Sequence, residues 1–234
     1  MCNFVSQFMI TKFTFNSQYI LRELPSNDRE FLENIMVDKK YRKNQPIFTE
    51  GTLPSGIFYL QSGKVKKYKM DNDGREQIIY IYNAGEFFGY SSVLSESTYG
   101  DTAVTIENSI ISFISVKDFN EVLKDSSSFS RLLLKSLSHE FSVLANLIAV
   151  LSQRTVRERV ALNLLILHDK YKVDDVAITV IMLSRSDLAN VAGTVVETLA
   201  RVLHDFKHDK LISTDGRKIQ LLNIERLIQV ANFY

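Results

Sequence analysis

The chain has 234 residues, of which 45% are hydrophobic and 24% are charged. At about 150 residues per domain, this length allows one large or two small domains. The composition is that of an ordinary globular protein, and it excludes a disordered, collagen-like or disulfide-scaffold chain. The net charge is only +1, so any contact with nucleic acid has to come from a local cluster of basic residues.

The first residues of the chain carry no basic start followed by an apolar stretch, so we predict no signal peptide. Apolar runs such as residues 110–116 and 176–183 are shorter than the ~20 residues of a membrane span. The single cysteine, Cys2, excludes an intrachain disulfide and any site made of four cysteines. We expect a cytoplasmic protein that contacts no membrane and carries no metal ion or cofactor.

Residues 40–116 have the pattern of short strands separated by turns. The turn signals include Gly63, Gly74 and Gly85. Strands are predicted over residues 57–60, 64–70, 77–82, 102–107 and 109–115. The last two are predicted to form a hairpin around Asn108. Several short strands at this spacing indicate a sandwich or a barrel.

A long helix is predicted over residues 126–154, where glycine and proline are absent. Its apolar residues alternate at intervals of three and four, which is the a/d pattern of a coiled coil. These residues, which we call the seam, are Leu134, Leu137, Phe141, Leu144, Ile148 and Leu151. The narrow stripe favours self-association. The alternative is a helix that packs on its own core, although helices of globular proteins usually have a wider apolar face.

The C-terminal part begins with a helical repeat over residues 156–167, followed by a β-branched stretch at 176–183 that predicts a strand. Residues 184–207 then have the pattern of two capped helices joined by a short turn that contains glycine. The two capping boxes and the turn are formed by Ser184, Asp187, Gly193, Thr194 and Glu197. This arrangement is typical of a helix-turn-helix.

Residues 211–221 predict two strands around the turn signal of Asp215 and Gly216. A hairpin after the second helix of a helix-turn-helix indicates a wing. Arg217 and Lys218 lie beside its tip, where they could contact phosphate, and the alternative is a solvated turn. Basic and acidic residues are nearly balanced in this part, so we expect only a moderate salt dependence of DNA binding.

These three parts, in this order, resemble the Crp–Fnr family of transcription regulators. The matching motifs are residues 54–65, 73–76, 85–89, 184–189 and 196–203. The resemblance implies an α+β fold with a double-stranded β-helix, which is a jelly-roll-like β-roll, then a long dimerisation helix and a winged helix-turn-helix. It implies a sensor roll in residues 1–125, the dimerisation helix in 126–154 and the DNA-binding domain in 155–234.

The resemblance places the family's base-reading Glu and Arg at Glu197 and Arg201. These residues are four apart, so they share one face of the second helix. Relatives with this pair read a TGA-type half-site, and we therefore expect a palindromic DNA site bound by a homodimer. The other predicted DNA contacts are Arg185, Thr194, Val196, Ala200, Arg217 and Lys218. For Glu197 a second interpretation stays open, since with Thr194 it could serve only to cap the helix.

The resemblance also implies an effector pocket inside the roll. Its predicted lining is Gly89, Tyr90, Ser91, Ser92, Tyr99, Gly100, Asp101, Thr102 and Leu144. Relatives that bind cyclic AMP use a Glu for the ribose and an Arg-Ser pair for the phosphate. Here Tyr90 replaces that Glu, Gly100 and Asp101 replace the pair, and residues 77–116 contain no Arg or Lys. Because a buried phosphate needs a cation, we expect no binding of cyclic AMP.

Other relatives of the family bind an iron–sulfur cluster or haem. The cluster needs four cysteines, and this chain has one. His139 is the only histidine before His168, and it falls at heptad position f, away from the seam. We therefore expect His139 to be a solvated histidine and not a haem ligand.

Together these features predict a sequence-specific transcription regulator with an unidentified small-molecule effector. Its predicted partners are double-stranded DNA and a second copy of the chain, and RNA polymerase is a further candidate. The alternative is a ligand-sensing module that regulates a protein partner, which predicts the roll but not the helix-turn-helix. A cupin-type enzyme would need metal-binding histidines in the barrel, where residues 40–116 have none, so we expect no enzymatic activity.

Overall fold

The computed structural model describes residues 10–172 and 178–232 of the chain. These residues fall into two compact units. The first unit is Phe15–Glu140, and the second combines the residues before Phe15 with those from Phe141 onward. Cys2 and the first two residues of the strand predicted at 176–183 lie outside the described residues. The boundaries predicted for the three functional parts stay predictions.

The first unit is a roll of antiparallel strands followed by helices. Its elements are α1 (Tyr19–Glu23), α2 (Ser26–Ile35), β1 (Val37–Tyr41), β2 (Pro46–Phe48), β3 (Gly56–Ser62), β4 (Lys64–Met70), β5 (Glu76–Asn83), β6 (Phe87–Phe88), α3 (Tyr90–Leu94), β7 (Thr102–Thr105), β8 (Ser109–Ser115), α4 (Val116–Asp125) and the first half of α5 (Ser127–Gln153). Within the described residues the strands form two sheets, ordered β1-β8-β3-β6 and β2-β7-β4-β5.

Strands β7 and β8 do not form the hairpin predicted around Asn108, and that prediction is wrong. Strand β7 pairs with β4, which places Thr105 opposite Val65, whereas β8 pairs with β3 in the other sheet. The chain crosses between the sheets at the buried Ile106, whose N–H donates to the carbonyl of Lys64 at 3.0 Å. A strand that changes sheet at a short corner has the same local sequence signal as a hairpin.

The other predicted strands of the roll are confirmed as β3, β4, β5 and β8. The sequence gives little signal for β1, which begins at Val37, before the region predicted as strands. Four of the five residues of β1 are exposed, and among the described strands it pairs only with β8. An edge strand without a buried face shows no alternation of apolar and polar residues.

Two glycines explain the close approach of β8 to its neighbours. Gly63 has φ +95°, and a Cβ there would lie 2.2 Å from Ser109 Oγ. At Gly56 a Cβ would lie 2.0 Å from the carbonyl oxygen of Ile114. Only glycine therefore allows the backbone to pack at these two positions.

The start of the long helix is part of the core of the roll. Phe129, Leu132 and Leu133 of α5 are buried in the same cluster as Phe87 and Phe119. The ring of Phe129 meets Phe87 and Phe119 edge to face, with centroids 6.4 Å and 6.0 Å away. This burial of aromatic area anchors the first turns of the helix in the roll.

The second unit contains the remainder of α5 and the C-terminal elements. These are α6 (Val156–Lys170), β9 (Ile181–Met182), α7 (Arg185–Ala192), α8 (Val196–His208), β10 (Ile212–Asp215), β11 (Lys218–Leu221) and α9 (Ile224–Ala231). The three strands form one antiparallel sheet in the order β10-β11-β9. Helix α6 confirms the helix predicted at 156–167. It starts with a capping box of Thr155 and Glu158 that the sequence analysis missed.

Candidate DNA-binding and effector sites

Helices α7 and α8 form the predicted helix-turn-helix. Ser184 caps α7, and its Oγ accepts a hydrogen bond from the N–H of Asp187 at 2.9 Å. The turn begins at Gly193, whose φ of +62° ends α7 in the left-handed conformation. Arg159 of α6 donates to the carbonyl oxygens of Ala192 and Gly193 at 2.8 and 2.9 Å. Arg159 therefore holds the turn in place, and no local motif in the sequence indicated this role.

Helix α8 has one buried apolar face and one exposed polar face. Leu199, Val202 and Phe206 are buried on the apolar face. Glu197 and Arg201 are exposed. The two residues predicted to read bases thus lie on the solvent-facing side of the first two turns of the helix.

The predicted capping box of Thr194 and Glu197 is wrong. Helix α8 begins at Val196, and its N-cap residue is Val195, for which the described residues show no side-chain capping bond. Glu197 is therefore the second residue of the helix, whereas a capping box needs Glu at the third position. Within residues 10–172 and 178–232, the Glu197 carboxylate has no hydrogen bond or ion pair. The interpretation of Glu197 as a capping residue loses its support.

Strands β10 and β11 form the predicted hairpin after α8. Asp215 pairs with Lys218, and the turn between them contains Gly216 with φ +53°. Arg217 and Lys218 are exposed at the tip. Strand β9 extends the sheet by pairing Met182 with Lys218. The strand predicted at 176–183 is confirmed only at its end, where it forms this third strand of the wing.

Arg185, predicted to contact DNA, already has a partner in the wing. Its Nη2 donates to the carbonyl oxygen of Gly216 at 2.9 Å. Its Nη1 is buried and has no hydrogen-bond partner among the described residues. Burial lowers the pKa of this guanidinium from its ordinary value. The arrangement ties the start of α7 to the tip of the wing.

Two residues of the predicted effector pocket, Tyr99 and Gly89, contact a series of aromatic rings that are stacked except for the edge-to-face pair of Tyr82 and Tyr80. We call this series the aromatic column, and its members are Tyr99, Phe48, Phe58, Phe88, Tyr82 and Tyr80. Tyr99 stacks on Phe48 with ring centroids 3.9 Å apart, and its hydroxyl donates to the carbonyl of Gly56 at 2.9 Å. Gly89 packs against Phe58, where a Cβ would lie 3.0 Å from the ring.

The remaining predicted pocket residues differ in exposure. Tyr90, Ser92 and Thr102 are buried, whereas Ser91 and Gly100 are exposed. Leu144 belongs to the second unit, so its contribution to the pocket stays a prediction. The roll therefore brings together part of the predicted lining and fills the space beside it with aromatic side chains.

The expectation that a phosphate beside Asp101 would have no cation near it needs correction. Lys67 on β4 forms an ion pair with Asp101, with 3.0 Å between Nζ and Oδ2 and both side chains only 16% exposed. Residues 77–116 contain no Lys or Arg, but β4 pairs with β7 and brings Lys67 opposite Ala103. The cation comes from a strand that is distant in sequence and adjacent in the sheet.

A half-buried carboxyl group, Glu140, completes this region of the roll. The hydroxyl of Tyr90 donates a hydrogen bond to Glu140 Oε1. Burial raises the pKa of Glu140 to about 8, with Lys67 lowering it and Glu86 raising it. Burial also raises the pKa of Tyr82 well above its ordinary value, and Glu140, Asp101 and Glu86 add to this effect.

The seam residues of the long helix fall into two groups. Leu134, Phe141 and Ile148 are 67%, 75% and 66% exposed, and they repeat every seven residues. Leu151 is also exposed, at 39%. Leu137 and Leu144 are half-buried, and Leu137 packs against the core of the roll. An exposed apolar stripe with this spacing is typical of a helix that pairs with another helix.

Helix Ser127–Gln153 is also long and apolar enough to cross a membrane by length and composition alone. A single helix of this kind is weak support for a membrane span, because helices of water-soluble proteins meet the same criterion. In this helix Phe129, Leu132 and Leu133 are buried within the protein.

The two parts of the chain match two known protein families. A family model described as a cyclic nucleotide-binding domain matches residues 38–126, and a model described as a Crp-like helix-turn-helix domain matches residues 158–230. The chain belongs to the Crp–Fnr family of transcription regulators. It is accordingly a DNA-binding transcription regulator, as the sequence analysis predicted.

Similar proteins span most of this Crp–Fnr regulator. The Fumarate and nitrate reduction regulatory protein of Yersinia pestis is 26% identical over 211 residues, which are 89% of this chain and 84% of that protein. The Transcriptional activator protein anr of Pseudomonas aeruginosa is 26% identical over 211 residues, 89% of this chain and 86% of that protein. The structure of FixK2 from Bradyrhizobium japonicum has a TM-score of 0.76 and 24% identity, covering 84% of this chain and 97% of that one.

Sequence patterns predict only part of these candidate sites. The helix-turn-helix and wing residues follow from local motifs. Arg159, Lys67 and Glu140 were not identified, because each acts on a segment far away in the sequence. Among residues 10–172 and 178–232, no group of three or more His, Cys, Asp or Glu side chains is arranged to hold a metal ion.

Proposed function

We propose that this regulator binds a palindromic DNA site as a homodimer and reads each half-site with Glu197 and Arg201. The observation that carries the proposal is the exposed face of α8, where both side chains are solvent-facing at the start of the helix. The N-terminal end of a recognition helix enters the major groove. There Arg can donate to O6 and N7 of guanine, and Glu can accept from N4 of cytosine.

The other contacts of the proposed interface divide by chemistry. Val196 and Ala200 lie exposed beside the reading pair and offer apolar contacts to bases, and Thr194 precedes the helix in the turn. Arg217 and Lys218 at the wing tip provide charge for the phosphate backbone. Such contacts fix the orientation of the protein on DNA without selecting sequence.

The seam supplies the proposed dimer contact. Leu134, Phe141 and Ile148 are exposed on one stripe of the long helix, and a second copy of the same helix would cover them. A two-fold dimer places two identical recognition helices on a two-fold symmetric site, which accounts for the palindrome.

The roll receives an effector that is not cyclic AMP. Asp101 is paired with Lys67, so a cyclic phosphate here would have to displace a carboxylate from the nearest cation. The aromatic column supports the same conclusion, since its rings pack beside the predicted lining. We further propose that the protein is cytoplasmic, has no enzymatic activity and contacts RNA polymerase when it is bound to DNA.

Selection of binding sites from a random pool of double-stranded DNA tests the proposal. The variants are Glu197→Gln and, as a matched control, Glu225→Gln, which changes an exposed acid in the first turn of α9. We expect Glu197→Gln to relax the preference at one base pair of each half-site by about 1–3 kcal/mol. The control should select the wild-type motif.

Two results would contradict the proposal. If Glu197→Gln selects the same motif as wild type, Glu197 does not read a base. If the wild-type protein enriches no motif at all while remaining folded, the proposed reading of a palindromic site is wrong.

A further inference from the structure

Glu140 lies among buried polar groups that DNA binding does not use. Tyr90, which is 2% exposed, donates its hydroxyl to the carboxyl group of Glu140. Glu86 is 4% exposed, and the ion pair of Lys67 and Asp101 lies in the same region. The charged groups that act on Glu140 are Lys67 and Glu86. Burial and repulsion by Glu86 both disfavour the ionised form of Glu140, and Lys67 opposes them.

These groups come from separate elements of the first unit. Lys67 lies on β4, Glu86 immediately precedes β6, Tyr90 is the first residue of α3, and Glu140 is on α5. Asp101 directly precedes β7. The contact of Tyr90 with Glu140 therefore joins the long helix to the roll, one residue before the exposed seam residue Phe141.

We infer that Glu140, Tyr90 and Lys67 are positioning residues that hold the long helix on the roll, and that this hold weakens when Glu140 loses its proton. A neutral carboxyl group accepts the hydrogen bond from Tyr90 without burying a charge. An ionised one is repelled by Glu86, while the cation that acts on it, Lys67, is shared with Asp101. The hold of the roll on the long helix thus depends on pH.

The direction of the pH dependence follows from proton linkage. We call the helix docked when Glu140 contacts Tyr90, and released when this contact is broken and Glu140 is in water. The pKa of Glu140 is raised to about 8 in the docked state from an ordinary value of 4.5, so the docked state binds this proton more tightly. As the pH rises from 4.5 towards 8, the released state gains population relative to the docked state. Above that range the two states carry the same charge at Glu140, and the effect levels off.

Amide hydrogen exchange over the first half of the long helix, without DNA, tests this inference. In wild type we expect protection, corrected for intrinsic exchange, to fall about tenfold or more between about pH 6 and about pH 9. Glu140→Gln, which carries no titrating group, should remove this pH dependence. His139→Gln is the matched control, because it removes a neighbouring titratable group on the same helix and should retain the wild-type profile.

Two further measurements keep the inference testable if Glu140→Gln does not fold. The carboxyl carbon signal of Glu140 in the wild-type protein should titrate near pH 8 by NMR. Tyr90→Phe should lower the protection of the helix at the acidic end, where the neutral carboxyl group accepts the hydrogen bond. Titration of Glu140 near its ordinary pKa, or an unchanged pH profile in Glu140→Gln, overturns the inference. Neither outcome bears on the DNA site, since no DNA is present.

Discussion

The exposed face of α8 and the buried polar groups of the roll are opposite arrangements of charged side chains. On α8, Glu197 and Arg201 face solvent, and the described part of the chain provides no partner for either. In the roll, Lys67 pairs with Asp101, and Glu140 accepts from Tyr90. Charges that are solvated and unpaired are available to an outside partner, whereas the paired, buried ones fix the structure of their own chain.

The long helix contains both arrangements within a few residues. One face, with the buried Phe129 and the half-buried Glu140, packs on the roll, and another face carries the exposed residues Leu134 and Phe141. The comparison therefore predicts that substitutions on the exposed face change assembly without unfolding the chain. Substitutions on the buried face should change both the assembly and the stability of the folded chain.

The largest expected effect is that of Phe141→Asp on assembly. This change would bury one uncompensated charge per chain in the proposed dimer, at a cost of about 3–5 kcal/mol for each. Because Phe141 is 75% exposed in the single chain, folding should be retained. Sedimentation at micromolar concentration should show a monomer. Leu137 is a poorer choice for the test, since it also packs against the core of the roll.

Ser142→Asp is the matched control for this experiment, because it places the same charge on the next residue, which is exposed but not part of the seam. It should remain dimeric. A Phe141→Asp protein that is as dimeric as the control would show that the copies do not meet along the seam.

A smaller effect is expected at the wing tip. Lys218→Ala should weaken binding to all DNA sequences alike and reduce the salt slope by about one. Glu197→Gln should instead change base preference, so the pair of variants separates positioning contacts from reading contacts. Fluorescence anisotropy over a salt series measures the slope. If Lys218→Ala changed the preferred motif, the wing would take part in sequence readout and the distinction would fail.

The sequence predicted the motif-bearing parts of the molecule and missed the long-range pairs. Strands β3 to β5, the long helix, both helices of the helix-turn-helix and the wing carry their signal in adjacent residues, as Gly193 and the turn at Gly216 illustrate. The sheet change at Ile106 and the ion pair of Lys67 with Asp101 depend on which strands become neighbours. No periodicity or spacing within one segment contains that information.

Dependence on contacts that are distant in sequence also explains why the capping box predicted at the start of α8 is wrong. Thr194 and Glu197 have the spacing of a capping box, yet the helix begins one residue later than this spacing requires. Arg159, from another helix, holds the preceding turn through two carbonyl oxygens. Tertiary hydrogen bonds therefore set the start of the helix, and the local capping signal is overridden.

The smallest expected effect is the heat of binding of cyclic AMP, which we expect to be zero. In calorimetry with cyclic AMP at millimolar concentration we expect no saturable heat. A dissociation constant of about 10 μM would require about 6.8 kcal/mol of binding free energy. To reach it, the phosphate would have to replace Asp101 as the partner of Lys67, leaving a carboxylate that is 16% exposed without its cation. The loss of that pair opposes the gain. Asp101→Asn gives the sharper form of the test, because it frees Lys67 and removes one repelling charge. If this variant binds cyclic AMP and wild type does not, the paired carboxylate is what excludes the nucleotide. If neither protein binds cyclic AMP, the aromatic column is sufficient to exclude the nucleotide without the paired carboxylate. Saturable binding of cyclic AMP by wild type would contradict both explanations.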